Sequence, residues 1–318
     1  MTNNTKHSPV TKSSRLISHD AHIDSTNEWI IETVKARLRA SGDLPAALLE
    51  PQLALVEQLS GFEFGRFLLL NRGLDAYWTH RLVTYEPGSL QQGSVSELEY
   101  LIFERLPAVL ATRERCNIFR RELQVKLKPG SVLASVPCGW MGDLLLLDYD
   151  ACPDVRLLGV DLDRKALDGA HRLANDRGLA QRVTLHHADA WEMSLNAEVD
   201  VLTSNGLNIY ESDNERVVTL YRKFFDALKP GGQLITSFLT PPPTLSNKSA
   251  WDMSAVAPTL LELQQLLFTR IIEAKWNTFR THAQTSEQLE RAGFRDITFF
   301  DDRARMFPTV IAHKPTKF

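Results

Sequence analysis

The chain has 318 residues, 43% of them hydrophobic and 24% charged, with 36 basic against 39 acidic residues and a formal net charge of −3. That length can bury one substantial core plus a smaller subdomain, and the near balance of charge indicates no general attraction to nucleic acid. Three well-separated cysteines, Cys116, Cys138 and Cys152, lack metal-ligand spacing and suit a reducing cytosol, and no segment is apolar enough to span a bilayer.

Residues 1–24 are polar, lack the apolar run of a signal peptide, and read as a disordered tail. The expectation is therefore a cytoplasmic protein with no membrane partner. Residues 25–128 read as helical. Ser25-Thr-Asn-Glu28 has capping-box spacing, and Trp29, Ile30, Val34 and Leu38 follow at helical period until Gly42. Pro45 to Leu59 predicts one or two further helices. The span from Gly65 to Arg81 crowds aromatic, amide and basic groups together. It reads either as a helix pair with an aromatic core or as a substrate-facing wall built from Arg72, Tyr77 and His80. Ser94-Val-Ser-Glu97 repeats the capping spacing before Leu98 to Leu106, and a longer helix over Ala111 to Leu127 ends at Pro129-Gly130. No internal repeat or heptad array is present.

From residue 129 onward, apolar runs alternate with helical ones. Ser131 to Val136 leads into the turn Pro137-Cys138-Gly139-Trp140-Met141-Gly142 and then Asp143-Leu-Leu-Leu-Leu147. Val155 to Val160 ends in Asp161-Leu162-Asp163, Arg182 to His187 in Ala188-Asp189-Ala190, and Val199 to Ser204 in Asn205-Gly206-Leu207-Asn208. A helix stops at Leu228-Lys229-Pro230-Gly231-Gly232, and the apolar run Gln233 to Phe238 follows. Polar or glycine residues thus recur at the carboxyl ends of buried strands, the edge at which open α/β sheets bind ligands. A glycine turn brings backbone close to a ligand. An acid roughly 20 residues beyond it commonly takes ribose hydroxyls, and Asp161 stands there. Those features fit a nicotinamide dinucleotide as well as S-adenosylmethionine. The three-glycine dinucleotide fingerprint is incomplete, since Pro137 occupies its first place.

Taken together, the motifs resemble those of class I S-adenosylmethionine-dependent methyltransferases, over roughly residues 125–240 and 284–315. Val132 to Leu147 is similar to the first motif in the variant reading V-P-C-G, Leu158 to Asp163 to the second, and Ala188-Asp189-Ala190 to the adenine-side motif. Asp200 to Asn208, Leu228 to Gly232 and Ala292-Gly293-Phe294 with its two strand-like runs follow in the family's order. The resemblance implies a doubly wound, seven-stranded Rossmann-like α/β sheet whose last strand is antiparallel, preceded by a helical cap. It further implies S-adenosylmethionine as cofactor and methyl transfer to O, N or C of a small molecule. Asp161 would take the ribose hydroxyls, Leu162 would pack on the adenine, Asp189 would accept from its amino group, and Ala190 would offer a backbone N–H. Gly139 and Gly142 would cradle the methionine end. Two positions depart from the family: Ser135 stands where an acid is usual, and Met141 where a glycine is usual. Asp143 is near enough in sequence to supply the missing charge.

Thr240-Pro-Pro-Pro243 opens an insertion, residues 240–283, that reads either as a lid carrying Trp276 and His282 or as a packing helix around Leu260 to Ile272. Methyl transfer is an in-line displacement that needs mainly alignment, with a base only for acceptors that must lose a proton early. Tyr210, Glu211 and His282 are the candidate bases, and Asn205 and Asn208 candidate orienting groups. His186 and His187 are adjacent on one strand and read as structural. The organisation expected is a tail (1–24), a helical cap (25–128), and a cofactor domain (129–318), with no resident metal. A nicotinamide-dependent oxidoreductase and a catalytically idle S-adenosylmethionine binder are the alternatives.

Overall fold

The computed structural model describes residues 27–44 and 47–316. The expected tail, Ser25 of the first capping box and Pro45 lie outside the described residues. Six helices come first: α1 (Asn27–Ser41), α2 (Leu49–Ser60), α3 (Glu63–Asn71), α4 (Ala76–Val83), α5 (Glu97–Glu104) and α6 (Pro107–Gln124). Then follow β1 (Val132–Ser135), α7 (Gly142–Leu145), β2 (Arg156–Asp161), α8 (Arg164–Asp176), β3 (Val183–His187), β4 (Val199–Ser204) and α9 (Asn214–Ala227). The chain closes with β5 (Leu228–Ser237), α10 (Pro258–Gln265), α11 (His282–Ala292), β6 (Arg295–Phe300) and β7 (Thr309–His313).

Two helix starts differ from the sequence expectation, and each has a local cause. Ser96, not Ser94, caps α5, its hydroxyl accepting from the Glu99 N–H. α6 begins at Pro107 rather than Ala111, with proline at the first helical position, where its missing N–H costs nothing.

The seven strands run in the order β3-β2-β1-β4-β5-β7-β6. β7 pairs antiparallel with both β5 and β6, and the remaining pairs are parallel. Alternate residues divide between two cores because side chains of a strand point to opposite faces. Leu133, Leu157, Val201, Ile235 and Ile311 face Phe119 and Leu123 of α6 and Ala170 and Ala174 of α8. Ala134, Val160, Leu202, Leu234 and Val310 face Val217, Tyr221 and Phe224 of α9 and Leu289 of α11. Full burial of each large side chain contributes about 1.5–3 kcal/mol, so the sheet is a rigid platform.

A third core holds the helical region together. Val34, Leu38, Val56, Leu59, Leu68, Trp78 and Ile102 pack with Leu267, Ile271 and Ile272 from the insertion. Trp276 joins that core and meets the Phe268 ring edge-on. The insertion is therefore a packing element of the cap, with α10 running into a π-helical turn over Leu266–Ile271. Among the described residues, no helix is long and apolar enough to cross a membrane.

Candidate cofactor and acceptor cleft

Between β1 and β4 the strand order reverses direction, and a cleft opens there at the carboxyl edge, where such sheets bind ligands. Its floor comes from the turn after β1 (Ser135, Pro137 and Cys138 to Asp143), and its sides from Asp161 to Asp163, Ala188 to Trp191, and Asn205 to Leu207 with Tyr210. The parallel register makes this alignment, pairing Ser135 with Gly159 and Asp161 with His187. The opposite wall belongs to the cap: Leu74, Asp75, Ala76, Thr79, His80 and Val83.

The turn is shaped for close approach. Gly139 has φ 52° and Met141 φ 58°, both left-handed. The second value explains why a glycine is usual at that place; Met141 adopts it with its side chain fully buried in the core. A Cβ on Gly139 would meet the Ala76 Cβ of the cap at 3.7 Å, an ordinary van der Waals contact, so helix α4 closes over the turn there. Asp161 holds the turn from across the strand, one carboxylate oxygen accepting from Gly139 N–H at 2.8 Å and the other from Asp163 N–H at 2.9 Å. Burial pushes its carboxyl pKa upward. Asp189 accepts from Trp191 N–H at 3.0 Å.

Ser135 and Asp143 meet in the structure. The Ser135 hydroxyl donates to Asp143 at 3.0 Å and the Thr203 hydroxyl donates at 2.5 Å, joining the ends of β1 and β4 to the first residues of α7. Asp143 is 8% exposed, lines the cleft, and has its pKa raised by burial. The Oδ1 of Asn205 is buried without a donor. A ligand carrying an ammonium or amino group would meet both needs, since a buried charge or unpaired acceptor is costly alone.

Several sequence candidates stand elsewhere. Glu211 is occupied by Arg216 Nε at 2.6 Å and by the Asp213 N–H, and does not line the cleft. Asn208 is buried behind it, donating to Tyr221 Oη at 3.1 Å. His282 points to Asp301, with Nε2–Oδ1 2.9 Å, its ring edge-on to Phe238 and Phe299. Arg72 is drawn to Glu273 at 3.2 Å. Tyr77 lies against Trp78 and Trp140, and Trp276 is spent in the cap core. Of the cap candidates only His80 lines the cleft, and of the base candidates only Tyr210. The two strand histidines are exposed on the edge strand β3, where His187 Nε2 contacts the Leu162 carbonyl at 2.9 Å.

Sequence reasoning also missed three contributors. Trp140 stacks on the His80 ring, centroids 5.0 Å apart, and its indole occupies the place a Gly169 side chain would take, with Nε1 2.0 Å from an ideal Cβ there. Trp191 lines the cleft beside Asp189 and Ala190, and Cys116 lines it too. Burial raises the Cys116 thiol to about 11, which keeps it protonated at neutral pH. A tryptophan inside a glycine turn, followed by a glycine one helix later, was the available signal for Trp140.

The arrangement fixes a pH dependence. Ionised Asp143 favours a bound ammonium, so affinity is full above its raised carboxyl pKa and falls as pH drops through it. Asp143→Asn should weaken a ligand whose ammonium sits here about tenfold, ~1.5 kcal/mol for one charge-assisted hydrogen bond. The same change should raise the melting temperature of the unliganded protein at neutral pH. A raised carboxyl pKa stabilises the fold only in the protonated form, a contribution lost as pH rises through that pKa. Calorimetric titration and melting curves on one sample check both signs.

Residues 135–232 match the family model described as a methyltransferase domain. A possible exported protein from Bordetella parapertussis is 58% identical over 91% of this chain and 95% of that one, with TM-score 0.86. The S-adenosylmethionine-dependent methyltransferase SibL, in its apo form, is 20% identical over 84% of this chain and 75% of that one, TM-score 0.52, a likeness of fold. No curated protein sequence matches the chain.

Proposed function

We propose a small-molecule methyl transfer for this chain, which belongs to the class I S-adenosylmethionine-dependent methyltransferase family. When bound, S-adenosylmethionine supplies an electrophilic methyl carbon on a sulfonium. The observation that carries the proposal is the gathering of Asp143, Asp161 and Asp189 around a left-handed glycine turn at one sheet edge. Asp161 takes the ribose hydroxyls, Asp189 and Ala190 the adenine, and Asp143 with Asn205 the methionine ammonium. Leu162 and Trp191 supply apolar surface beside the base.

The acceptor is small because the cap closes over the turn, Ala76 and His80 standing against Gly139 and Gly142 and Leu74, Thr79 and Val83 lining the same cleft. Small-molecule sites have this character, mostly apolar with a few convergent polar groups. Arg72, Tyr77, Trp276 and His282 play no part in that wall. A cytoplasmic setting suits three buried cysteines that are not bonded to one another.

His80 is the base for acceptors that lose a proton. Burial lowers its pKa, so the imidazole is neutral and able to accept near pH 7. It presses on the turn itself, Nδ1 standing 2.9 Å from the position of a Gly142 Cβ. Substitution His80→Gln should cut turnover by about 10²-fold, the usual scale for general base catalysis, with S-adenosylhomocysteine binding retained. Equal loss of binding would make His80 a structural prop for Trp140 instead.

The test of the reaction is incubation with methyl-labelled S-adenosylmethionine and cell extract divided into dialysable, protein and nucleic-acid fractions. Label should enter the dialysable fraction. Label confined to protein or nucleic acid would contradict a small acceptor.

A further inference from the structure

His80 lines the cleft from the cap side, yet its ring is not held in the usual way. Neither ring nitrogen hydrogen-bonds to a described residue. Only the backbone carbonyl is engaged, accepting from the Thr84 N–H at 3.0 Å and from its hydroxyl at 2.7 Å. His282 shows the ordinary arrangement, with Nε2 2.9 Å from the Asp301 carboxylate. A histidine that takes a proton needs a third group to orient it, and in most sites a carboxylate does so. At His80 an indole stands in that place.

Trp140 lies between two left-handed residues, Gly139 and Met141. Met141 enters the core, whereas Trp140 reaches α4 and α8. Its ring stacks on His80, centroids 5.0 Å and planes 28° apart, and meets the Tyr77 ring at 5.6 Å. On α8 the Arg172 guanidinium lies 5.6 Å from the same indole. Gly169, also on α8, provides the berth: an ideal Cβ there would stand 2.0 Å from Nε1 and 2.4 Å from Cδ1. These contacts fix the indole, and the indole with the Gly142 backbone fixes the imidazole.

The stack also covers one face of the imidazole. Burial alone lowers the His80 pKa; none of the charged groups on the surrounding elements, Asp75 and Arg81 on α4, Asp143 on α7 and Arg172 on α8, shifts it. The result is a neutral ring with both nitrogens uncommitted.

We propose that Trp140 is a positioning residue for methyl transfer, orienting the His80 ring by stacking where a carboxylate would orient it by hydrogen bonding. This rests on the methyl-transfer reading above, with His80 as base. When an acceptor loses its proton, a His80 nitrogen takes it, and Trp140 acts only through that ring.

Four variants test this: Trp140→Ala, Trp140→Phe, His80→Gln, and Trp140→Ala combined with His80→Gln. Label transfer to the dialysable fraction is compared at saturating S-adenosylmethionine. The His80 ring protons are titrated by NMR, picked out from nine histidines by their loss in His80→Gln. Trp140→Ala should lower transfer about tenfold or more, and Trp140→Phe should restore most of it. The double variant should be no slower than His80→Gln alone, because residues that act as one unit are not additive. S-adenosylhomocysteine affinity should change far less than transfer does. In Trp140→Ala the His80 pKa should rise toward the ordinary histidine value as its cover is lost, and in Trp140→Phe it should stay low. Should Trp140→Ala fail to fold, Gly169→Ala displaces the same indole without altering a residue of the cleft wall, and should raise the His80 pKa in the same direction. Losses that multiply in the double variant, or a His80 titration unmoved when the indole is removed or displaced, would overturn the proposal and leave Trp140 a packing residue. Absence of S-adenosylhomocysteine binding in the wild type would instead sink the methyl-transfer reading, and this proposal with it.

Discussion

Asp161→Ala should lose about 3 kcal/mol of S-adenosylhomocysteine binding, the upper end for removing a charged acceptor. The effect is large because one carboxylate does two jobs. It accepts from Gly139 N–H and Asp163 N–H, which fixes the glycine turn against the end of β2. It also stands in the cleft where ribose hydroxyls would arrive. Truncation leaves the Gly139 N–H without its acceptor and the ribose without a charged one. Asp161→Asn keeps one acceptor oxygen and should fall between wild type and alanine. The unliganded fold should survive, because burial already raises this carboxyl pKa and its ionised form is a cost to stability at neutral pH. Unchanged affinity in the alanine variant would remove Asp161 from the cofactor site.

Gly65→Ala should destabilise the folded chain by about 3 kcal/mol, the upper range for overpacking. An ideal Cβ at this position lies 2.1 Å from the Leu59 carbonyl oxygen and 2.8 Å from its carbon. Both are backbone atoms, so no side chain can rotate aside. The corner between α2 and α3 would have to open, separating Leu59 from Leu68 at the centre of the cap core. Urea unfolding at constant cofactor concentration measures the loss, since ligand binding itself shifts the midpoint. A change below about 1 kcal/mol would show that the α2–α3 corner yields more readily than its contacts indicate.

The cofactor side of the cleft was legible in the sequence because it depends on local order along the chain. Buried parallel strands read as apolar runs, and whatever follows each run must sit at the same edge. That rule, together with the resemblance to the methyltransferase motifs, points to Gly139, Gly142, Asp161, Leu162, Asp189, Ala190 and Asn205, and all line the cleft. Asp143 is legible as the nearest acid able to replace the one absent at Ser135, and the two side chains hydrogen-bond.

The acceptor side was less legible because long-range packing decides it. Helical periodicity marks Tyr77, Trp78 and His80 as neighbours without saying which face of α4 looks at the sheet. The Asp75 cap and the buried Trp78 set that face, turning Thr79, His80 and Val83 inward. Charged candidates were diverted by partners remote in sequence: Arg72 by Glu273, and His282 by Asp301. Glu211 was taken by Arg216, five residues on, across the cap of α9. The insertion could be read as lid or packing helix from its composition, and Leu267, Ile271 and Ile272 commit it to the cap core.

The most direct measurement is the melting temperature of the wild-type chain with S-adenosylhomocysteine and, separately, with NAD. A ligand that binds only the folded state stabilises it by RT ln(1 + [L]/Kd), about 2.7 kcal/mol at a hundredfold excess over Kd. S-adenosylhomocysteine should raise the melting temperature progressively with concentration, and NAD should leave it unchanged. A shift with NAD and none with S-adenosylhomocysteine would contradict a methyl-transfer cleft between β1 and β4.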